Sequence, residues 1–246
     1  MKLVPREVEK PWGRDDGSGR LVGEIWFEAP DGRPMPLLVK YLFTSEKLSV
    51  QVHPDDAHAR ARGLPHGKSE CWYVVAAEPG AKLALGLKEE MSEAGLREAA
   101  ADGSIEGRID WIEAREGDFF SVPAGTIHAI GPGLSLIEIQ QPSDVTYRLY
   151  DYGRDRALHL DDAVAVANRS PSPGSRRRAG PESAILLAAP PFSVAYVAAG
   201  EADPFDGLER WLLPLGGTAR DCFSLQPGEP DPPELGPHLV ATVNKI

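Results

Sequence analysis

The sequence predicts a mainly β protein, folded as an antiparallel sandwich or barrel. First, 25 Gly and 23 Pro divide the 246 residues into short segments. Second, most of those segments are rich in β-branched and aromatic residues, which favour strands. Third, the segments are bounded by Gly, Pro or Asp, the residues of turns. Short strands that follow one another through such turns are typical of all-β sandwiches and barrels.

Five segments carry the strand pattern in the first two thirds of the chain, and two others predict short helices. The first helix is expected over about 92–101, with Ser92 as its N-cap and Asp102-Gly103 as its stop. The second lies in LDDAVAVANRS, which has acidic residues in its first turn. The strand segments are RLVGEIWFEAP, MPLLVKYLFTSEKLSVQVHP, KSECWYVVAAEPGAKLALGL, GDFFSVPAGTIHAIGPGLSLIEIQQ and SDVTYRLYDYG.

The apolar pattern stops in RSPSPGSRRRAGPES and then resumes. This composition predicts a linker or exposed loop over 169–181. It separates a larger β lobe over 1–168 from a smaller β lobe over 182–246. We interpret the run from Arg176 to Arg178 as a solvated turn, with an anion-binding patch as the alternative.

Composition excludes several classes of partner. The net charge of −11 and the pI near 5.0 argue against nucleic acid and against anionic membranes, which would repel this surface. We expect a soluble, cytoplasmic protein, because MKLVPREVEK has no apolar signal region and no window reaches roughly 18 uninterrupted apolar residues. Cys71 and Cys222 form no CxxC pair, so we expect ordinary buried thiols in a reducing compartment. The sequence leaves the oligomeric state open.

Polar side chains with metal-binding atoms recur on the predicted strands. Strand side chains alternate, so in SVQVHP the side chains of Ser49, Gln51 and His53 share one face. By itself such a face is more often solvated surface than a site. The hypothesis gains strength from Glu70, at the start of another apolar strand, and from His128, which follows a Pro-Ala-Gly turn.

These candidates combine an amide oxygen, a carboxylate and two imidazoles, without a thiolate. Such a ligand set suits a borderline divalent ion such as Zn²⁺. Ligands at i and i+2 on one strand, with others from separate strands, can converge inside a barrel. The predicted ligands are Gln51, His53, Glu70 and His128.

Taken together, six blocks resemble the class I mannose-6-phosphate isomerases, zinc enzymes of the cupin superfamily. The resemblance runs from about Pro11 to Ala163 and is closest to the short bacterial form. The chain departs from the family pattern at Arg14, where a second glycine is usual, and over about the last 60 residues, which match only loosely. The blocks are PWGR with VGEIW, SVQVHPDD, GKSECWYVV, GDFFSVPAGTIHAIGPG, IEIQQPSDVTYRLYDYGR and LHLDDA.

The resemblance implies a cupin-type double-stranded β-helix, or jelly-roll barrel, with a second smaller β lobe and a few short helices. It implies one Zn²⁺ per chain and interconversion of mannose 6-phosphate and fructose 6-phosphate through an enediol or enediolate. The four predicted ligands occupy the family's metal-ligand positions.

The same resemblance places the catalytic residues at Glu138 and Arg148. Burial of Glu138 among apolar neighbours is expected to raise its pKa towards that of a general base. The alternative is a structural carboxylate paired with Arg148 or with another cation, and the sequence does not separate the two. Arg148 would stabilise an enediolate oxygen. The residues implied for substrate phosphate are Ser49, Lys68 and Arg154, with Arg156 as a nearby alternative to the last.

Two other functions remain open at the sequence level. Cupin oxidoreductases that use iron or manganese commonly have His-x-His where this chain has Gln-x-His. A non-catalytic sugar-binding or regulatory cupin would keep the pocket without turnover. The remaining histidines are not assigned to catalysis: His58 and His66 are expected in a loop at the rim of the site, and His159 is expected to cap or pack the helix that follows it.

Overall fold

The structure is a computed structural model, and it describes residues 1–171, 175–216, 220–233 and 235–244. Within these ranges strands dominate and the helices are short, so the predicted mainly β fold is confirmed. The strands are β1 (Val4–Asp15), β2 (Leu21–Glu28), β3 (Leu38–Phe43), β4 (Val50–Val52), β5 (Glu70–Ala77), β6 (Lys82–Leu87), β7 (Ile109–Glu113), β8 (Asp118–Val122), β9 (His128–Ile130), β10 (Leu134–Gln140), β11 (Tyr147–Tyr150), β12 (Ser175–Arg178), β13 (Ala184–Ala189), β14 (Phe192–Val197), β15 (Arg210–Pro214), β16 (Phe223–Leu225) and β17 (His238–Val243). The helices are α1 (Asp56–Ala61), α2 (Glu93–Asp102), α3 (Ile105–Arg108) and α4 (Leu160–Val166).

Two sheets build the larger lobe. A seven-stranded sheet has the order β1-β2-β3-β10-β5-β8-β12, and a five-stranded sheet has the order β11-β4-β9-β6-β7. Apolar side chains from both sheets form one buried cluster, which includes Trp72, Leu83 and Phe120. Because hydrophobic burial is the main favourable term in folding, this shared cluster holds the two sheets face to face. Each strand therefore presents alternate side chains to the interior between the sheets.

The outer face of the five-stranded sheet is covered by helices. The first predicted helix is confirmed as α2: the Ser92 hydroxyl accepts a hydrogen bond from the N–H of Gly95, and Gly103 ends the helix at a φ of 80°. The second is confirmed as α4. The expected loop around His58 is wrong, because Asp55 caps the short helix α1 by accepting from the N–H of His58.

The segment predicted as a linker or exposed loop is only partly one. Ser175–Arg178 form β12, which pairs antiparallel with β8 and so completes the seven-stranded sheet, while 172–174 lie outside the described residues. The expected solvated turn is therefore an edge strand with exposed arginines. Arg176 binds the buried carboxylate of Asp118, with 2.6 Å between Nη2 and Oδ2. A pairing between residues so far apart in sequence leaves no local signal.

The strands from β13 to β17 form a third sheet, with the order β13-β14-β17-β15-β16. Its inner face shares a core with the outer face of the seven-stranded sheet: Phe192 and Leu213 pack in one cluster with Phe27 and Ile137. The lobe boundary at 182 remains a prediction, because the two units bury their apolar faces against each other.

Cys71 and Cys222 belong to this shared core, and both are buried and free. Burial raises the pKa of both thiols. The expectation of ordinary buried thiols is therefore confirmed. Among the described residues, no helix is long and apolar enough to cross a bilayer.

The shared core predicts that the third sheet and the larger lobe unfold together. Leu213→Ala should lower the free energy of unfolding by about 2–5 kcal/mol, because it leaves a cavity between the lobes. Leu208→Ala, at a side chain that is 48% exposed, should change it by less than about 0.5 kcal/mol. Urea unfolding followed by circular dichroism and by tryptophan fluorescence measures both. Two separate transitions would show that the lobes are independent.

Candidate active site

Three ionisable side chains from three segments meet in the interior of the larger lobe. The ligand atoms of His53, Glu70 and His128 all lie within 4.8 Å of one another, and all three residues are buried. Nε2 of His53 lies 3.5 Å from Oε2 of Glu70, and Nε2 of His128 lies 3.4 Å from Oε1 of Glu70. One carboxylate therefore faces two imidazole nitrogens, the arrangement expected around a small cation.

The barrel brings these residues together from both sheets. Glu70 begins β5 in the seven-stranded sheet, whereas His53 follows β4 and His128 begins β9 in the five-stranded sheet. Gly125 ties the turn before His128 to the first histidine: its N–H donates to the carbonyl of His53 at 2.8 Å. Gly125 has a φ of 83°, in the left-handed region that glycine adopts without strain. The predicted Pro-Ala-Gly turn thus fixes the distance between the two imidazoles.

The environment keeps both imidazoles neutral. Burial lowers the pKa of His53 well below its usual value and lowers that of His128 to about 4. The Nδ1 of His128 donates to the carbonyl of Thr126 at 2.9 Å, which leaves its Nε2 lone pair facing Glu70. Neutral imidazoles with a free nitrogen are the form that binds metal ions.

Glu70 is a buried carboxylate that a nearby cation would stabilise. Burial raises its pKa to about 7, although the ammonium of Lys68 lies only 3.0 Å from Oε2 and opposes that shift. Its other oxygen, Oε1, is buried without a hydrogen-bond donor. Because a buried carboxylate oxygen without a partner is costly, the donor set fits a divalent cation such as Zn²⁺.

Gln51 lies beside the cluster but presents its amide nitrogen to it. Nε2 of Gln51 is 3.1 Å from Nε2 of His128, and Oε1 accepts a hydrogen bond from the hydroxyl of Ser49 at 3.0 Å. For Oε1 of Gln51 to bind a metal ion in the cluster, the side-chain amide would have to rotate by half a turn, so that Oε1 and Nε2 exchange places. Strand β4 lies between β9 and β11, and Gln51 is paired with His128 on β9 and with Arg148 on β11. This register explains why Gln51 lies close to the cluster.

A cavity of about 380 Å³ adjoins the cluster, and its lining is strongly polar. Five cationic side chains line it against three carboxylates, in a chain whose net charge is −11. The predicted residues that line it are Ser49, Gln51, Lys68, Glu138 and Arg148. The lining cations are Lys10, Lys40, Lys68, Arg148 and Arg156, and the carboxylates are Glu24, Glu138 and Asp144. We call this space the catalytic cavity, after the role that is proposed for it below.

Arg154 does not line the catalytic cavity, which argues against its predicted role as a phosphate ligand. Its guanidinium donates to the carbonyl of Lys47 at 2.6 Å and pairs with Asp151 at 3.0 Å. Arg156 lines the cavity instead, and its Nε lies 2.6 Å from Asp151. The sequence could not separate the two arginines because they lie in one loop, whose path depends on Asp151.

Glu138 is buried as expected, but its pKa moves in the opposite direction. Burial alone would raise the pKa, yet Lys40 and Lys68 outweigh it and lower the pKa below the usual value. The Nζ of Lys40 lies 3.3 Å from Oε1, and the indole N–H of Trp72 donates to Oε2 at 3.1 Å. The expected raised pKa is therefore wrong, and the geometry matches the alternative of a carboxylate paired with a cation. The paired cation is Lys40 and not Arg148.

Lys40 is the main residue that the sequence analysis missed. It is 2% exposed and lies opposite Glu138 across β3 and β10. Its ammonium also lies 4.5 Å from the ring centroid of Trp26. The available signal was a single charge inside the apolar strand LLVKYLF, since a lysine is rarely buried without a partner.

Arg148 lies on β11 and lines the cavity without an ion pair to any residue in the described part of the chain. Burial lowers its pKa, although a guanidinium remains charged at any physiological pH. Its backbone N–H donates to Nδ1 of His159 at 3.2 Å, and the backbone N–H of His159 donates to the carbonyl of Arg148. Arg148 is thus a cation held in place by its backbone, with a side chain free for a ligand.

Comparisons with known proteins place this site in context. No family model matches the chain. The sequence is 43% identical to the mannose-6-phosphate isomerase of Streptococcus mutans over 171 residues, 65% of this chain and 53% of that protein. It is 40% identical to a probable mannose-6-phosphate isomerase of Bacillus subtilis over 162 residues, 61% of this chain and 51% of that protein. The matched region therefore spans about half the length of these curated relatives.

The fold is similar over almost the whole chain. The crystal structure of the mannose 6-phosphate isomerase from Bacillus subtilis matches with a TM-score of 0.69 and 26% identity, over 98% of both chains. A mannose 6-phosphate isomerase bound with zinc and yttrium shares the fold with a TM-score of 0.67, at 13% identity and over 99% of both chains. This chain is thus similar to mannose-6-phosphate isomerases, in sequence over about two thirds of its length and in fold over nearly all of it.

Proposed function

We propose that this protein is a zinc-dependent aldose-ketose isomerase that interconverts mannose 6-phosphate and fructose 6-phosphate. The observation that carries the proposal is the buried His53, Glu70 and His128 cluster beside a cation-rich cavity. The similarity to isomerases in sequence and fold supports the same reaction. A cavity of about 380 Å³ is within the usual range for small-molecule sites.

The three clustered residues would hold the metal, and Gln51 would add its amide oxygen after the half rotation described above. A bound Zn²⁺ would act as a Lewis acid that polarises the sugar oxygens between which the carbonyl moves. One carboxylate with neutral ligands leaves such a site with net positive charge, which favours an anionic intermediate. We infer one ion per chain, because the clustered ligand atoms surround one point.

Lys68 and Arg148 supply the remaining positive charge at the reacting carbons. Burial alone would lower the pKa of Lys68, but Glu70 and Glu138 outweigh it and raise the pKa, so the ammonium is charged. The ammonium of Lys68 and the guanidinium of Arg148 can stabilise the enediolate oxygens as negative charge develops. Nζ of Lys68 lies 3.0 Å from Oε2 of Glu70 and 3.2 Å from Nε2 of His53, so it would have to leave these two ligand atoms when the metal binds.

Glu138 has a positioning role in this proposal. Its two oxygens face Lys40 and Trp72, and Lys68 lies 4.0 Å from Oε1. The carboxylate therefore pairs with two buried lysines and holds them in place. The reaction also needs a base that takes the proton from one sugar carbon and returns it to the other. We propose Glu138 for this second role too, in which one of its oxygens would release its partner, Lys40 or Trp72, to receive the proton.

The phosphate is attracted by the excess of cations over carboxylates in the catalytic cavity. The resemblance implied Ser49, Lys68 and Arg154 as the phosphate ligands. We propose that Ser49 keeps this role, that Arg156 takes the place of Arg154, and that Lys68 acts at the reacting carbons instead. Arg156 already pairs with Asp151, so binding would compete with, or share, that ion pair. A phosphate held far from the reacting carbons positions the sugar without joining the chemistry.

The main test measures turnover and metal together. Protein stripped with a chelator should lose at least about 100-fold in the conversion of mannose 6-phosphate, and added Zn²⁺ should restore it. His128→Ala should lose both bound zinc and activity, whereas His66→Ala, at an exposed histidine outside the cavity, should keep both. A coupled assay and elemental analysis give the two quantities. Full turnover without metal, or zinc binding without turnover of any hexose 6-phosphate, would contradict the proposal.

A second test distinguishes Arg156 from Arg154 as the ligand of the substrate phosphate. Arg156→Ala should raise the KM for mannose 6-phosphate by about tenfold or more, because it removes a charge-assisted contact to phosphate. Arg154→Ala should change KM by less than about threefold, provided that the protein remains folded. Steady-state kinetics with circular dichroism as the folding control measure this. A larger effect from Arg154 would restore the first assignment.

A further inference from the structure

A second cavity of about 520 Å³ lies outside the catalytic cavity. We call it the accessory cavity and define it by Lys47, Lys82, Lys88, Glu106, Trp111 and Pro132. Its lining comes from the β3–β4 and β9–β10 connections, from β6 and its end, from α3 and from β7. None of these six residues lines the catalytic cavity or has a role in the proposed isomerisation.

Positive charge is concentrated at the accessory cavity. Three lysines face one carboxylate there, although the chain as a whole carries a net charge of −11. Lys47 pairs with Glu106, and Nζ of Lys88 donates to the carbonyl of Gly107 at 2.8 Å. Lys82 is exposed, and no carboxylate of the described residues pairs with it. Lys82 and Lys88 thus have no carboxylate partner among the described residues, and two such ammonium groups favour an anionic ligand.

An aromatic ring stands beside these charges. Trp111 is half-buried, and its indole N–H donates to the carbonyl of Glu106 at 3.0 Å, which fixes the orientation of the ring. Nζ of Lys47 lies 5.9 Å from the ring centroid. A fixed indole next to ammonium groups suits a ligand that combines a ring with an anion, because the ring can pack on the indole while the lysines bind the charge.

Two short chain segments join the accessory cavity to the catalytic cavity. In one segment, Lys47 lines the accessory cavity, and the next two residues, Leu48 and Ser49, line the catalytic cavity. In the other segment, Pro132 lines the accessory cavity, and Ile130, two residues earlier, lines the catalytic cavity. The N–H of Leu48 donates to the carbonyl of Ile130 at 2.8 Å, which ties the two segments together. Lys47 and Ser49 are two residues apart in one segment, which gives a direct backbone route between the two cavities.

We propose that the accessory cavity binds a phosphate ester that carries a ring, a nucleotide or a sugar phosphate, and that its occupancy alters turnover in the catalytic cavity. The binding part stands on the accessory cavity alone. The effect on turnover rests on the proposed isomerase function.

Titration calorimetry with adenosine 5′-monophosphate, mannose 6-phosphate and inorganic phosphate tests the binding part. We expect saturable binding of the nucleotide, or a second site for the sugar phosphate, weakened at least about tenfold in Lys82→Ala/Lys88→Ala. The control Arg33→Ala/Arg177→Ala removes two exposed positive charges elsewhere and should bind as the unchanged protein does. Three results overturn the binding part: no such binding, equal weakening in the control, or equally tight binding of inorganic phosphate.

Kinetics test the coupling. Saturating nucleotide should shift kcat or KM for mannose 6-phosphate by at least about twofold in the unchanged protein and not in Lys82→Ala/Lys88→Ala. If only the sugar phosphate binds, the rate should depend on its concentration in a non-hyperbolic way that the double variant loses. Binding without either effect overturns the coupling. Binding to a protein that turns over no hexose 6-phosphate would refute the proposed function and leave the accessory site in place.

Discussion

The site depends on the contact between two facing sheets that buries one carboxylate against two imidazoles. Glu70 comes from the seven-stranded sheet, and His53 and His128 come from the five-stranded sheet. The ring centroids of Trp72 and His128 lie 5.4 Å apart, so apolar packing and ligand placement are parts of one contact. The hydrophobic core supplies the free energy that brings these polar groups out of water. A cation between them would remove the remaining cost of burying Glu70.

The rest of the interior balances charge around that contact. Lys40 and Lys68 are buried with Glu70 and Glu138, so two ammonium groups face two carboxylates in the interior. Each buried charge is tolerated only because its partner is fixed on a neighbouring strand. With a divalent cation added, the interior would become net positive beside Arg148, which forms no ion pair within the described part of the chain. That balance is the physical basis on which we propose that an acidic protein binds an anionic sugar phosphate.

The sequence predicted what local periodicity and residue chemistry determine. Alternation along SVQVHP predicted that Gln51 and His53 share a face, and the turn residues before His128 predicted how that strand enters the interior. The features that the sequence did not predict depend on contacts between residues far apart in the chain. The lowered pKa of Glu138 depends on Lys40 from another strand, and β12 depends on its pairing with β8. The choice between Arg154 and Arg156 depends on a loop conformation that Asp151 fixes, which no pattern of residues encodes.

Anomalous diffraction at the zinc edge, from crystals of the zinc-loaded protein, tests the central claim most directly, because it locates the ion independently of any assay. The account predicts one strong peak with bonds of about 2.0–2.2 Å to His53, Glu70 and His128. An ion bound by residues of only one sheet, or one located outside the interior of the barrel, would contradict it.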